Sequence, residues 1–212
     1  MDASQETDRP APPRDSLALV FASRAMADVV TYFVLHPDGT PHFRALQRIT
    51  GVSSRSLQHE LTRLRKLGMI ERMEEGRLVR YRAAAGHPGW AAFRSVLREF
   101  GEPVHILRMA VSAVPGVDAA FIFGSCARGE MRPESDIDVF ALGDGLQELQ
   151  TRLDLTQGTM EAAVLLNREV NVVRYTPHKF EARREGGFLS AVLAGPKRWL
   201  VGDETRLSPV GA

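Results

Sequence analysis

The sequence predicts an α+β protein, with a helical N-terminal part that ends in a hairpin and a C-terminal part built on a mixed sheet with flanking helices. In the first part, leucines recur at helical spacing, as at Leu57, Leu61 and Leu64. In the second part, the apolar runs 119–123 and 137–142 have the length and composition of buried strands. The 212 residues suffice for one large domain or two small ones.

The N-terminal part begins with a tail and two helices. Residues 1–15 are polar and rich in proline, so we expect a disordered tail there. An amphipathic helix is predicted over residues 16–35, where His36-Pro37-Asp38-Gly39 stops it. A short helix over residues 43–50 ends at Gly51.

A third helix and a hairpin follow. Ser53 or Ser54 caps this helix, which ends at Gly68. Strands over residues 69–73 and 78–82 surround a turn and predict a hairpin wing.

Positive charge is concentrated in this part of the chain. Residues 44–82 hold ten Lys or Arg against four acids, although the whole chain sums to only +1. Such a concentration is the electrostatic footprint of a DNA-binding surface. The alternative is a wing domain used for protein docking, with arginines that are merely solvated.

The order of these elements resembles the winged helix-turn-helix of ArsR-like bacterial regulators, over residues 16–85. The likeness lies in the segments Gly51-Val52-Ser53-Ser54-Arg55-Ser56-Leu57 and Leu64-Arg65-Lys66-Leu67-Gly68-Met69-Ile70. It implies transcription regulation through double-stranded DNA, bound by a homodimer on two half-sites. The residues expected to contact DNA are Arg55, His59, Arg63 and Lys66 on the third helix and Arg77 and Arg80 on the wing.

A linker helix is predicted over residues 86–101. Gly86-His87-Pro88-Gly89 marks the boundary, and apolar residues line one side of the helix that follows. This side has two possible partners: the same helix of a second copy, or a neighbouring domain of the same chain.

The C-terminal part, residues 102–205, is predicted to alternate strands and helices, with a tail over 206–212. A helix over residues 146–166 connects the strand 137–142 to a strand over 168–175. The remaining predicted elements are a short helix from Thr176-Pro177 and a late strand over 197–201.

One motif lies between the first two strands of this part. The turn Phe123-Gly124-Ser125-Cys126-Ala127-Arg128-Gly129 precedes Ser135-Asp136-Ile137-Asp138-Val139 by a few residues. Residues two apart in a strand share a face, so Asp136 and Asp138 point into one site. Paired carboxylates repel each other unless a cation neutralises them, and Mg²⁺ is held by one or two carboxylates together with substrate phosphates. Gly124 permits close approach of the backbone, and Ser125 offers a hydroxyl and an amide to phosphate oxygens.

This motif resembles the minimal nucleotidyltransferases of the DNA polymerase β-like superfamily. The resemblance implies transfer of NMP from an NTP, ATP first among them, to a hydroxyl with release of pyrophosphate. Asp136 and Asp138 would hold two Mg²⁺ ions. The nucleotide would be bound by Gly124, Ser125, Arg128 and Ser135, although Arg128 is equally well read as a surface arginine.

The predicted catalytic set departs from the family at its third acid. Asn171 stands where active members carry a carboxylate, and an amide cannot accept a proton. Glu169 lies two residues earlier, hence on the same strand face, either as a substitute base or as an ordinary strand-end charge. Three functions therefore follow: a DNA-binding regulator with a working nucleotidyltransferase, a catalytically impaired nucleotide sensor, or an antitoxin-type enzyme that modifies a partner toxin.

The remaining composition indicates a cytoplasmic protein. A single cysteine, Cys126, excludes a disulfide framework within the chain and fits a reducing compartment, where it is expected as a small filler. No apolar stretch is long enough to span a membrane, and we predict no membrane partner.

Overall fold

The protein is described from a computed structural model, over residues 16–130, 132 and 135–208. The predicted tail of residues 1–15 lies outside this range. The helices are α1 Ser16–Phe21, α2 Arg24–Leu35, α3 Phe43–Thr50, α4 Ser54–Lys66, α5 Gly89–Phe100, α6 Pro103–Ser112, α7 Gly124–Arg128, α8 Leu149–Leu166, α9 Pro177–Arg183 and α10 Gly187–Ala194. The strands are β1 Ile70–Glu75, β2 Leu78–Ala83, β3 Ala119–Phe123, β4 Ile137–Leu142, β5 Val170–Tyr175 and β6 Arg198–Val201.

The prediction of one helix over residues 16–35 was wrong, because the helix is interrupted at residues 22–23, between α1 and α2. Ala22 adopts a positive φ of 50° and ends α1. Ser23 then caps α2 by accepting a hydrogen bond from the Met26 amide. The Ser23 hydroxyl also donates to the Glu60 carboxylate of α4 at 2.7 Å, so this break ties the first helices to the third predicted one.

The caps of α3 and α4 confirm the predicted helix boundaries. Gly51 ends α3 in the left-handed conformation, with φ of 67°. Ser53 rather than Ser54 caps α4, because its hydroxyl accepts from the Ser56 amide. The hairpin is also confirmed, with β1 and β2 paired antiparallel from Ile70 opposite Ala83 to Glu75 opposite Leu78.

The C-terminal part contains a mixed four-stranded sheet in the order β5-β4-β3-β6, which confirms the predicted α+β class. β3 pairs antiparallel with both β4 and β6, whereas β4 and β5 are parallel. Parallel neighbours need a crossover, and α8 supplies it. The predicted helix over 146–166 begins later than expected, because residues 144–147 form a 3₁₀ turn.

The two faces of this sheet pack differently. One face, with Ile122 and Val139, belongs to a hydrophobic core that continues into α2, α4 and α6. The opposite face, with Phe121 and Phe140, packs in a smaller cluster under α9 and α10. The sequence analysis did not predict α6 or α10. The smaller cluster also buries Leu207, in the stretch expected as a tail.

Helix α5 packs within its own chain, which is one of the two alternatives the sequence left open. The Trp90 ring lies 6.0 Å from that of Phe33 in α2, and the Phe93 ring lies 5.3 Å from that of Phe21 in α1. Arg94 donates to the Val34 carbonyl and to Glu161 of α8, so α5 joins the N-terminal helices to the C-terminal part.

None of the described helices combines the length and the apolar character that a membrane crossing requires.

Candidate functional site

The candidate site is built around a close approach between Gly124 and Asp138. Gly124 has a φ of +72°, and a Cβ at this position would lie 2.8 Å from Oδ2 of Asp138. Glycine is therefore required twice, for the left-handed backbone and for the space that the carboxylate occupies. Strand β3 and the short helix α7 that follows it thus place the Gly-Ser backbone directly beside the carboxylate.

Strand pairing brings the predicted acids and Asn171 to the same place. Asp138 lies opposite Phe123 of β3 and beside Asn171 of β5, and paired residues share a sheet face. The Asn171 amide nitrogen donates to Oδ2 of Asp136 at 3.4 Å. Asp136 and Asn171 are exposed and Asp138 is half-buried, so the group is open to a ligand.

The segment before Asp136 is held by a residue that the sequence analysis missed. The Arg168 guanidinium donates to the carbonyls of Arg132 and Ser135, at 2.8 and 3.3 Å. The Ser135 hydroxyl accepts from the Arg132 amide. The Ser135 hydroxyl is thus engaged with Arg132, and Arg168 positions the backbone of Ser135 that leads into Asp136. No motif in the sequence marks Arg168 for this task.

The other predicted nucleotide-binding residues differ in exposure and in whether their side chains already have a partner. Ser125 is half-buried beside Gly124, and its hydroxyl has no hydrogen-bond partner among the described residues. Arg128 is exposed and pairs with Glu130 at 2.6 Å. Glu169 is exposed, and its carbonyl accepts from the Ile137 amide, which fixes its backbone next to β4.

Cys126 is the filler that the sequence predicts. Its side chain is buried and unpaired, and burial raises the pKa of the thiol. Arg198 and Arg168 act in the opposite direction, but burial is the larger cause. A buried, protonated thiol is a poor nucleophile, so the cysteine contributes packing behind the turn.

The oxygen donors of the site are few. Among the described residues there is no cluster of three or more His, Cys, Asp or Glu side chains that could hold one. The site offers two carboxylates and one amide instead. This set fits Mg²⁺, which commonly takes one or two carboxylates and completes its shell with phosphate oxygens and water.

The predicted DNA-contacting residues lie on one exposed surface of α4 and on the hairpin, but two of them are engaged. Arg63 pairs at 2.8 Å with Glu60, a carboxylate that is only 4% exposed. Arg80 donates to Glu75 and to the Thr40 carbonyl, which ties the hairpin to the preceding loop. The side chains without ion-pair or hydrogen-bond partners among the described residues are those of Arg55, His59, Lys66 and Arg77.

Comparison with known proteins agrees with the C-terminal half of this description. The family model "Polymerase beta, Nucleotidyltransferase" matches residues 107–185, which include Gly124, Asp136, Asp138 and Asn171. The chain thus contains a nucleotidyltransferase-type domain of the polymerase β kind. A solved toxin–antitoxin complex with AMP-PNP is similar in structure, with 22% identity, a TM-score of 0.32, and coverage of 44% of this chain and 68% of that chain. No curated protein matches the chain.

Proposed function

We propose that this protein binds an NTP together with Mg²⁺ on its mixed sheet and transfers NMP slowly to a hydroxyl, and that its N-terminal part binds DNA. The observation that carries the proposal is the approach of Gly124 to Asp138 inside the segment that matches the nucleotidyltransferase family. A backbone turn that contacts a carboxylate gives a triphosphate and a divalent cation adjacent places to bind.

Each residue of the site has a defined role in this proposal. Asp136 and Asp138 would hold Mg²⁺, which neutralises phosphate charge and aligns the attacking and leaving oxygens. The Ser125 hydroxyl and the backbone at Gly124 would bind the phosphates. Arg168 would position Asp136 through its hydrogen bond to the carbonyl of the preceding Ser135.

Asn171 sets the expected rate. It lies beside Asp138 and donates a hydrogen bond to Asp136, but its amide accepts no proton. A general base contributes about 10² to 10⁴ in rate, and its loss leaves binding intact while slowing chemistry. For this reason we infer weak turnover, with nucleotide sensing as the second candidate function.

The deciding experiment compares wild type with Asn171→Asp, using ATP, Mg²⁺ and a pyrophosphate-release assay. We expect weak wild-type turnover and a rise of about tenfold or more in Asn171→Asp, because the new carboxylate restores a base. Asp138→Ala is expected to abolish Mg²⁺-dependent ATP binding in a separate titration. Brisk wild-type turnover would show that Glu169 or another group acts as base, and Glu169→Gln would then remove it.

The DNA-binding role is supported by the exposed side chains of Arg55, His59 and Lys66 on α4 and by the excess of positive charge over residues 44–82. In the proposed regulator, α4 enters the major groove and Arg77 touches phosphate. A second copy would supply the other half-site. One possible class of NMP acceptor is a protein hydroxyl. A partner toxin is the specific case, and transfer of a labelled nucleotide to that protein tests it.

A further inference from the structure

We propose that Phe188, at the start of α10, forms the stacking platform for the nucleobase of the bound NTP, with a preference for purines. This inference rests on the proposed nucleotide site and adds to its phosphate-binding part a part that binds the base. The family match ends at residue 185, before Phe188.

Phe188 is next to the candidate site through a short chain of contacts. Its ring centroid lies 6.2 Å from that of Phe123, with the planes at 76°. Phe123 is paired with Asp138 and immediately precedes Gly124. Phe188 thus contacts the residue that leads directly into the Gly-Ser turn, on the sheet face that carries Asp138.

The packing of α10 does not require this aromatic residue. Leu189 and Val192 attach the helix to the smaller cluster and are buried. Phe188 is 56% exposed. An exposed aromatic side chain near a few polar groups has the composition of a ligand-binding surface.

A cavity of about 610 Å³ adjoins the ring and has the size of a small-molecule site. Tyr175, Phe188 and the segment between α9 and α10 line it. One wall is held firmly, because Arg184 donates to the Leu207 carbonyl and its guanidinium lies 5.3 Å from the centre of the Phe180 ring. The cavity thus has the exposed Phe188 ring on one side and a wall fixed through Arg184 on another.

Aromatic stacking suits this arrangement better than hydrogen-bonded recognition of one base. Every base has a π-face, and the larger purine rings stack more strongly. The phosphates would lie at Gly124 and Ser125 while the base lies on Phe188. The platform would then discriminate by ring size.

The test measures binding of two Mg²⁺-loaded probes, ATP and inorganic tripolyphosphate, by calorimetry. Phe188→Ala is expected to weaken ATP binding about tenfold and to leave tripolyphosphate binding unchanged. Phe188→Trp should restore ATP affinity, and the advantage of ATP over UTP should shrink in the alanine variant. Leu153→Ala, on the exposed surface of α8, is the matched control, since Leu153 is 52% exposed.

Each outcome is decisive. Unchanged ATP affinity in Phe188→Ala overturns the stacking role but leaves the nucleotide site standing. Equal losses for ATP and tripolyphosphate also overturn it, since they would show that Phe188 supports the phosphate half or the fold. Wild-type protein that binds neither probe overturns both the inference and the proposed function.

Discussion

At the scale of single residues, the candidate site depends on the absence of a side chain at Gly124, next to the Asp138 carboxylate. A Cβ at Gly124 would lie 2.8 Å from Oδ2 of Asp138, so the carboxylate would have to shift from its position to accommodate it. Gly129 ends the same turn with a similar φ of +78°, but nothing lies within 4 Å of its Cβ position. The two glycines separate the cost of backbone strain from the cost of crowding the carboxylate.

We predict that Gly124→Ala abolishes Mg²⁺-dependent ATP binding while Gly129→Ala does not. Both substitutions force a side chain into the left-handed region, which costs about 1–2 kcal/mol in each. Gly124→Ala alone also pushes against Oδ2 of Asp138. Calorimetric titration measures binding, and thermal melting measures stability. Equal loss of binding in the two variants would contradict the role given to the close approach.

Residue types and spacing were enough to predict Asp136 and Asp138 as a pair, because strand periodicity dictates which side chains share a face, whereas Asn171 was placed with them through the family resemblance. They did not predict Arg168 or Phe188. These residues act through backbone carbonyls or ring contacts with elements far along the chain, and no local pattern encodes such contacts. Arg63, expected to contact DNA, is instead paired with Glu60 three residues earlier in α4, and Glu60 also accepts from Ser23 far along the chain.

At the scale of elements, α4 combines a buried anchor with an exposed basic surface. Glu60 is buried, accepts from Ser23 and pairs with Arg63. Arg63→Ala would leave this carboxylate short of a partner, and because Arg63 is 48% exposed at its side chain the cost is about 1–2 kcal/mol rather than that of a fully buried pair. Reduced DNA binding by Arg63→Ala would therefore not distinguish a loss of stability from the loss of a DNA contact.

We therefore predict that Arg55→Ala and Lys66→Ala weaken DNA binding without lowering stability. Each lost phosphate contact should reduce the slope of log affinity against log salt by about 0.9, because fewer counterions are released. Fluorescence anisotropy with random-sequence duplexes over a salt series measures this slope. Arg98→Ala, an exposed arginine of α5 without a described ion pair, is the control. Slopes equal to wild type in both α4 variants would exclude this surface from DNA contact.

Local signals predicted the elements that carry their own boundaries. Ser53 and Gly51 punctuate α4 and α3 within a few residues, and the structure confirms both. The break at Ala22 has only one such signal, the cap residue Ser23, and it lies next to an alanine, a residue that favours helix and here adopts a positive φ. The unpredicted helices α6 and α10 are rich in apolar residues, and periodicity alone does not separate a buried helix from a strand.

At the scale of the whole molecule, the two predicted parts share one hydrophobic core. The larger cluster runs from Leu46 and Leu61 through Ile106 to Val139 of the sheet. Polar contacts follow the same path, since His105 of α6 lies 3.0 Å from the Thr31 hydroxyl and 3.5 Å from the Asp28 carboxylate. A shared core couples the folding of both parts and would give the proposed nucleotide binding a physical route to the proposed DNA-binding surface.

This coupling predicts a single cooperative unfolding transition, and the chain offers a probe in each part. Its two tryptophans are Trp90 in α5 and Trp199 in β6. Trp90 Nε1 is buried without a hydrogen-bond partner in the described structure, so Trp90→Phe removes no hydrogen bond. Trp90→Phe and Trp199→Phe each leave one fluorophore, which reports on one part.

Within each single-tryptophan variant we expect tryptophan fluorescence and far-UV circular dichroism to give the same urea midpoint, because neither part can lose the common core alone. Ile106→Ala, which truncates a fully buried side chain of α6, should cost about 2–5 kcal/mol and lower both midpoints together. Leu153→Ala on the exposed side of α8 should move neither. Midpoints that separate, or an Ile106→Ala effect seen by Trp199 alone, would show that the parts unfold independently, and coupling through the core would then be excluded.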